Sequence, residues 1–273
     1  MMNLFSTSLI VTQLFVTTTC QRSGTFTHEG LRFTLAYVVD NAGDVSLTVE
    51  RPARPAGSDG RPGRPGRRSS GESYPLKEVH AQLEPDGFLF SNYTVDFEGS
   101  GLGGKRSFLE PVSLLLSSVE LEAGDLTDLS FFDGGIAYAR FRGRDLGFRW
   151  NTLPLSPGVF RYRETTGDLN KLTYIVFSDG TVEMNVGCRG LDSVEAEFSL
   201  NEVFIDQART YTVADTEESS LATFQKQVFG LCGYEDRDFF FQGIIFANED
   251  RIYVPYLIPG RNSVLLPLDR IAN

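Results

Sequence analysis

The stretch TLAYVVDNAGDVSLTV, Thr34–Val49, decides how this chain is read, because it occurs twice. It returns as LTYIVFSDGTVEMNV, Leu172–Val186. In both copies apolar and polar side chains alternate, a turn of Asp, Asn, Ser and Gly follows, and the alternation resumes. A period of two is the mark of a half-buried strand, and the intervening turn residues make the pair a β-hairpin. Tyr37 falls on Tyr174, Gly43 on Gly180, Val45 on Val182 and Val49 on Val186, each pair 137 positions apart.

The flanks extend the duplication. Gly24-Thr25-Phe26 matches Gly158-Val159-Phe160, and Tyr93-Thr94-Val95 matches Tyr211-Thr212-Val213. Val112, Leu115 and Val119 then line up with Leu221, Phe224 and Val228, at the spacing of one helix face. Pro111 suits the first helical turn and Gly124 its end; in the second copy Asp215–Glu218 suits the start and Gly230 the end. Phe131-Phe132 matches Phe240-Phe241, and Leu153–Leu155 matches Leu266–Leu268. The expectation is a β-rich α+β protein of two tandem homologous repeats, residues 21–156 and 157–273. Each repeat is a curved antiparallel sheet or barrel with one amphipathic helix, and the two pack as a pseudo-dimer.

The 273 residues include 22 Phe and 10 Tyr, ample for packed β cores, and carry a net charge of −11. Such acidity excludes the basic footprint that nucleic acid requires. The exception is residues 51–70, RPARPAGSDGRPGRPGRRSS, with six Arg and one Asp. With no aliphatic side chain larger than Ala, this segment reads as a disordered insertion into the first repeat. Arg67 and Arg68 form a dibasic step open to processing proteases, and the loop is suited to contact with polyanions.

Residues 1–20 hold no charged side chain, and Leu9–Val16 is a short apolar run followed by small residues. This is the layout of a secretory signal peptide and places the mature protein outside the cell, with no transmembrane segment. Cys188 and Cys232 then remain as an even pair in an oxidising compartment, an expected disulfide. Asn92-Tyr93-Thr94 is a glycosylation sequon. The sequence has no CxxC and no Cys/His spacing for zinc, and it points to no metal or cofactor.

Catalytic motifs are missing from the sequence: there is neither G-x-S-x-G nor HExxH. Gly99–Ser107, GSGLGGKRS, approaches a phosphate-binding loop, but Arg106 stands where the hydroxyl for Mg²⁺ belongs. Arg140, Arg142 and Arg144 alternate and on a strand would share one face, an anion-binding stripe. Phe131, Phe132, Phe240 and Phe241 lie in strand-like runs and are candidates to line a hydrophobic ligand cavity. The expected function is a secreted, non-enzymatic binding or surface-associated protein for a lipid, glycan or protein ligand. The alternatives are a secreted glycan hydrolase with paired carboxylates and a structural coat component.

Overall fold

The computed structural model describes residues 22–53, 63, 65–83, 89–98, 103–116, 119–132, 135–162, 169–188, 193–205, 208–233, 241–257 and 263–271. Residues 1–20, read above as a signal peptide, lie outside these residues.

The first unit contains β1 (Gly24–Glu29), β2 (Thr34–Val39), β3 (Asp44–Arg51), β4 (Arg67–Ser70), β5 (Tyr74–Leu83) and β6 (Leu89–Val95). Helix α1 (Lys105–Leu115) follows, then β7 (Asp128–Phe132), β8 (Ile136–Phe141) and β9 (Arg144–Asn151). β1, β2, β3, β5, β6, β7, β8 and β9 pair in that order, and β9 pairs back onto β1, closing a ring; β4 extends from β3. The second unit repeats the plan: β10 (Gly158–Arg161), β11 (Leu169–Val176), β12 (Thr181–Cys188), β13 (Ser193–Ile205) and β14 (Ala208–Ala214). It continues with α2 (Leu221–Cys232), β15 (Gly243–Asn248), β16 (Arg251–Leu257) and β17 (Ser263–Arg270), closed into a barrel. Two tandem antiparallel barrels of eight strands result, each with its helix between the fifth and sixth ring strands. Closure is what removes the exposed sheet edges that a curved open sheet would leave.

The duplicated hairpin is β2–β3 in one unit and β11–β12 in the other. In the first turn the Asp40 N–H donates to the Asp44 carbonyl, and in the second Phe177 donates likewise to Thr181. Gly43 (φ 94°) and Gly180 (φ 88°) supply the left-handed residue that both turns require.

Several details differ from expectation. Arg67–Ser70, assigned above to a disordered insertion, is strand β4, with Arg68 opposite Glu50 and the Thr48 and Ser70 hydroxyls 2.9 Å apart. A short edge strand needs backbone partners and complementary charge more than apolar bulk. Residues 54–62 and 64 of the segment lie outside the described residues. Together β4 and β5 do the work of the single long β13, since Val45 faces Tyr74 as Val182 faces Phe198.

Helix α1 begins at Lys105 and carries Pro111 in its interior, not in its first turn, and ends well before Gly124. Its buried residues are Phe108, Leu109, Pro111, Val112 and Leu115. Those of α2 are Phe224, Gln225, Val228 and Phe229. The helices therefore align Phe108 with Phe224 and Val112 with Val228, and Val119 lies beyond α1. Leu, Val and Phe recur often enough here to match in more than one phase. α2 runs past Gly230 to Gly233, whose left-handed conformation (φ 71°) ends it.

Phe131 corresponds to Phe246 rather than to Phe240, because Phe131 faces Ala137 as Phe246 faces Ile252. Leu266 and Leu268 are strand residues equivalent to Leu146 and Phe148, whereas Leu153–Leu155 belong to the connector between the barrels.

Both interiors are occupied by their own side chains. In the first barrel Tyr93, Phe131 and Phe26 stack edge to face, at 5.5 and 5.2 Å between ring centres, and Tyr37 lies 4.7 Å from Phe148. In the second, Phe160, Phe246 and Tyr211 form a similar chain, and Phe224 of α2 packs against Phe198 and Phe241. An eight-stranded barrel is just wide enough for such filling. One plug position is shared by geometry and not by chemistry. Trp150 stacks on Phe26, and at the equivalent place the Arg270 guanidinium lies 4.7 Å from the Phe160 ring. A Cβ on Gly24 would collide with the indole, and one on Gly158 with the guanidinium, so each glycine admits its planar partner.

The barrels pack on one another. The Ser23 N–H donates to the Tyr253 hydroxyl at 2.8 Å, Asn248 Nδ2 donates to Asn41 Oδ1 at 2.9 Å, and Tyr253 meets the Trp150 ring edge to face. The connector is stitched to the second barrel by Leu153 N–H to the Phe246 carbonyl and by Arg270 to Ser156 and Pro157.

Candidate functional site: the cleft between the barrels

A cleft of about 620 Å³ opens where the two barrels meet. Strands β1 and β9 of the first barrel contribute Thr27, His28, Glu29, Arg149, Trp150 and Asn151. The β13–β14 hairpin of the second contributes Phe204 and Arg209. Alternation explains the first set. Phe26 and Trp150 are turned inward as register partners, so Thr27 and Arg149, paired one residue on, face outward. The second set exists because the tip of β13–β14 runs beyond its own ring: β12 pairs β13 only as far as Ser199, while β14 follows β13 to Ile205. Phe204 at this tip is 65% exposed, and its ring faces the Arg209 guanidinium at 5.7 Å.

The polar groups are arranged with some left open. Thr27 Oγ1 donates to Asn151 Oδ1 at 2.9 Å, which leaves the Asn151 amide nitrogen as a donor. His28 Nδ1 donates to the Gly147 carbonyl at 2.9 Å, so in the neutral ring Nε2 is an acceptor. Arg209 is paired with Glu202. Arg149 is exposed and pairs with no carboxylate among the described residues. On a chain of net charge −11, the described lining residues include two guanidiniums, Arg149 and the Glu202-paired Arg209, and one carboxylate, Glu29.

The residues singled out in the sequence fall elsewhere. Arg140, Arg142 and Arg144 do not form a stripe. Arg142 (φ 52°) and Gly143 (φ 69°) make the tight turn between β8 and β9, a conformation that matches the twist of the flanking strands. Arg140 consequently faces Asp145 across the ladder, and Arg144 faces Phe141 on the other side of the sheet. Phe131 and Phe241 are core residues, Phe132 packs on Tyr138, and Phe240 lies outside the described residues. None of the three described rings lines the cleft.

Cys188 and Cys232 are joined in a disulfide with 5.3 Å between Cα atoms, tying the end of β12 to the end of α2. Asn92 is mid-strand in β6, half-buried, its Oδ1 accepting from Ser130 Oγ at 2.6 Å. Arg67 and Arg68 are exposed on β4. No group of three His, Cys, Asp or Glu among the described residues is placed to hold a metal ion. No helix among them is long and apolar enough to cross a membrane.

Thr27, Arg149, Asn151, Phe204 and Arg209 are residues that the sequence pattern passes over. The available signal is the outward phase of β1 and β9 together with an apolar pair, Phe204-Ile205, on the exposed tip of a long strand. No protein-family model matches the chain, and comparison with curated proteins finds no match.

Proposed function

We propose that this is a secreted, non-enzymatic binding protein whose ligand sits in the cleft between the barrels. The observation that carries the reading is the contrast between the two kinds of space. The barrel interiors are filled by buried rings, whereas the junction holds an open cleft within the about 300–1,000 Å³ range of small-molecule sites. The disulfide fits an oxidising compartment. A glycan hydrolase would need two carboxylates flanking its bond, about 5–9.5 Å apart, and Glu29 is the single carboxylate among the described lining residues.

Native mass spectrometry of protein purified from the medium of a secreting host tests this. The expected result is a chain beginning at Gln21, two hydrogens lighter than its reduced mass, carrying a non-covalent adduct that Phe204→Ser weakens. Retention in the cytosol with free thiols refutes secretion. A ligand-free monomer with turnover refutes the binding role, and a ladder of self-associated species favours a coat component.

A further inference from the structure

The cleft is lined mainly by polar groups, and a lipid or other apolar ligand would strand them without hydrogen bonds. An open Asn151 amide, the Glu29 carboxylate and the Thr27 hydroxyl are suited to a molecule that both donates and accepts at several points. Phe204 adds an exposed ring, one face of which can receive a flat apolar surface edged by polar groups. A sugar ring has both features: hydroxyls around its rim and a face of C–H groups. The remaining feature is charge. Arg149 has no carboxylate partner among the described residues, and a guanidinium binds carboxylate or sulfate through two parallel N–H donors. His28 and Arg209 lie in the same lining, where Arg209 is already paired with Glu202, so Arg149 is the guanidinium left to meet an anion.

Resting on the binding role proposed above, we propose that the ligand of this cleft is an acidic saccharide. Its sugar ring stacks on Phe204, and its carboxylate or sulfate is held by Arg149. Arg209 is a positioning residue: its ion pair with Glu202 and its place over Phe204 fix the ring.

Titration calorimetry with four probes tests the proposal on the intact chain: glucuronic acid, glucose 6-sulfate, glucose and inorganic sulfate. Glucuronic acid or glucose 6-sulfate should bind at least tenfold more tightly than glucose or inorganic sulfate, and comparison of the two tells which anion is preferred. Arg149→Gln should weaken the acidic sugar about tenfold or more and leave glucose unchanged. Phe204→Ser should weaken both sugars and leave inorganic sulfate unchanged. Both residues are surface-exposed, so circular dichroism should report an intact fold. Equal binding of glucose and glucuronic acid, or insensitivity to Arg149→Gln, overturns the proposal. If no probe binds but a native adduct sensitive to Phe204→Ser is found, the acidic-sugar assignment fails while the binding role stands. If neither is found, both fail.

Discussion

Tyr37 and Tyr174 are the same residue of the duplicated hairpin, both fully buried, yet their hydroxyls meet different fates. Tyr37 Oη donates to the Leu126 carbonyl at 3.0 Å. Leu126 is held in the left-handed region (φ 57°), and its own N–H donates to the Arg140 carbonyl at 2.8 Å. Tyr174 Oη has no partner among the described residues. Tyr→Phe removes only the oxygen and keeps the ring's apolar burial, so the two substitutions isolate the hydroxyl. Tyr37→Phe forfeits a hydrogen bond worth about 0.5–1.5 kcal/mol net and leaves a buried carbonyl unpaired, and it loosens a backbone that costs about 1 kcal/mol to hold. A loss of about 1–2 kcal/mol is expected. Tyr174→Phe removes an unsatisfied buried hydroxyl and should be neutral or stabilising by about 1 kcal/mol. The assay is urea denaturation with the disulfide intact. The single tryptophan, Trp150, reports on the first barrel by fluorescence, and circular dichroism reports on both. If Tyr174→Phe destabilises as much as Tyr37→Phe, the reasoning is refuted and a polar partner, such as a trapped water, occupies the second barrel.

The same two phenols make an alkaline prediction. Burial raises both well above their ordinary 10.0, with Asp128 and Asp125 adding to the effect on Tyr37. The unfolded chain releases these protons near pH 10 and the folded chain does not, so stability should fall as pH rises above about 10. Absorbance at 295 nm should show two phenolates appearing only as the barrels open; early titration of all ten tyrosines would contradict this. On β12, burial together with Glu195 and Glu197 raises Glu183 from its ordinary 4.5, since Glu197 is its cross-strand partner. At neutral pH the folded state bears this charge unfavourably. Glu183→Gln should therefore stabilise by about 0.2–1 kcal/mol at pH 7, a gain that fades as pH falls toward 4.5. Replacing Cys188 and Cys232 by Ser opens a cross-link spanning 44 positions and should destabilise the second barrel by about 4 kcal/mol in the chain-entropy picture. Thermal melts of oxidised and reduced wild type provide the control.

The parts legible in the sequence are those written in local pattern. Alternation and turn residues mark β2–β3 and β11–β12, and residue spacing marks two helices. Closure of the barrels is written nowhere locally. β1 meets β9 through Phe26 and Trp150, and β10 meets β17 through Phe160 and Arg270, pairs far apart in the chain and unlike in chemistry. The Arg140–Arg144 run shows why period two can mislead. Arg142-Gly143 reverses the chain within the run, and a glycine that permits a turn looks the same in sequence as one inside a strand. The helix phases were ambiguous because apolar residues outnumber the buried positions. The cleft was illegible for a different reason: its lining belongs to two barrels, and only their docking brings Arg149 and Phe204 to one place.

The duplication also explains why the two repeats contribute differently to the cleft. The position equivalent to Arg149 in the second barrel is Asp269, since Arg149 faces Ile136 as Asp269 faces Arg251. There the carboxylate is spent: Arg251 Nε donates to Asp269 Oδ1 at 2.7 Å, and the pair lies half-buried beside the first barrel, where Arg251 also reaches the Asn41 carbonyl. The surface that presents a guanidinium with no carboxylate partner among the described residues in one repeat is thus, in the other, a neutralised ion pair used for docking. The hairpin tip has diverged in the same sense. In the second repeat it carries Phe204 and Arg209 onto its neighbour, whereas β6 places Ser91 at the position of Arg209, buried and uncharged. One copy supplies the face that carries Arg149 and the other the arm that brings Phe204 and Arg209 against it, so neither barrel alone contains the cleft.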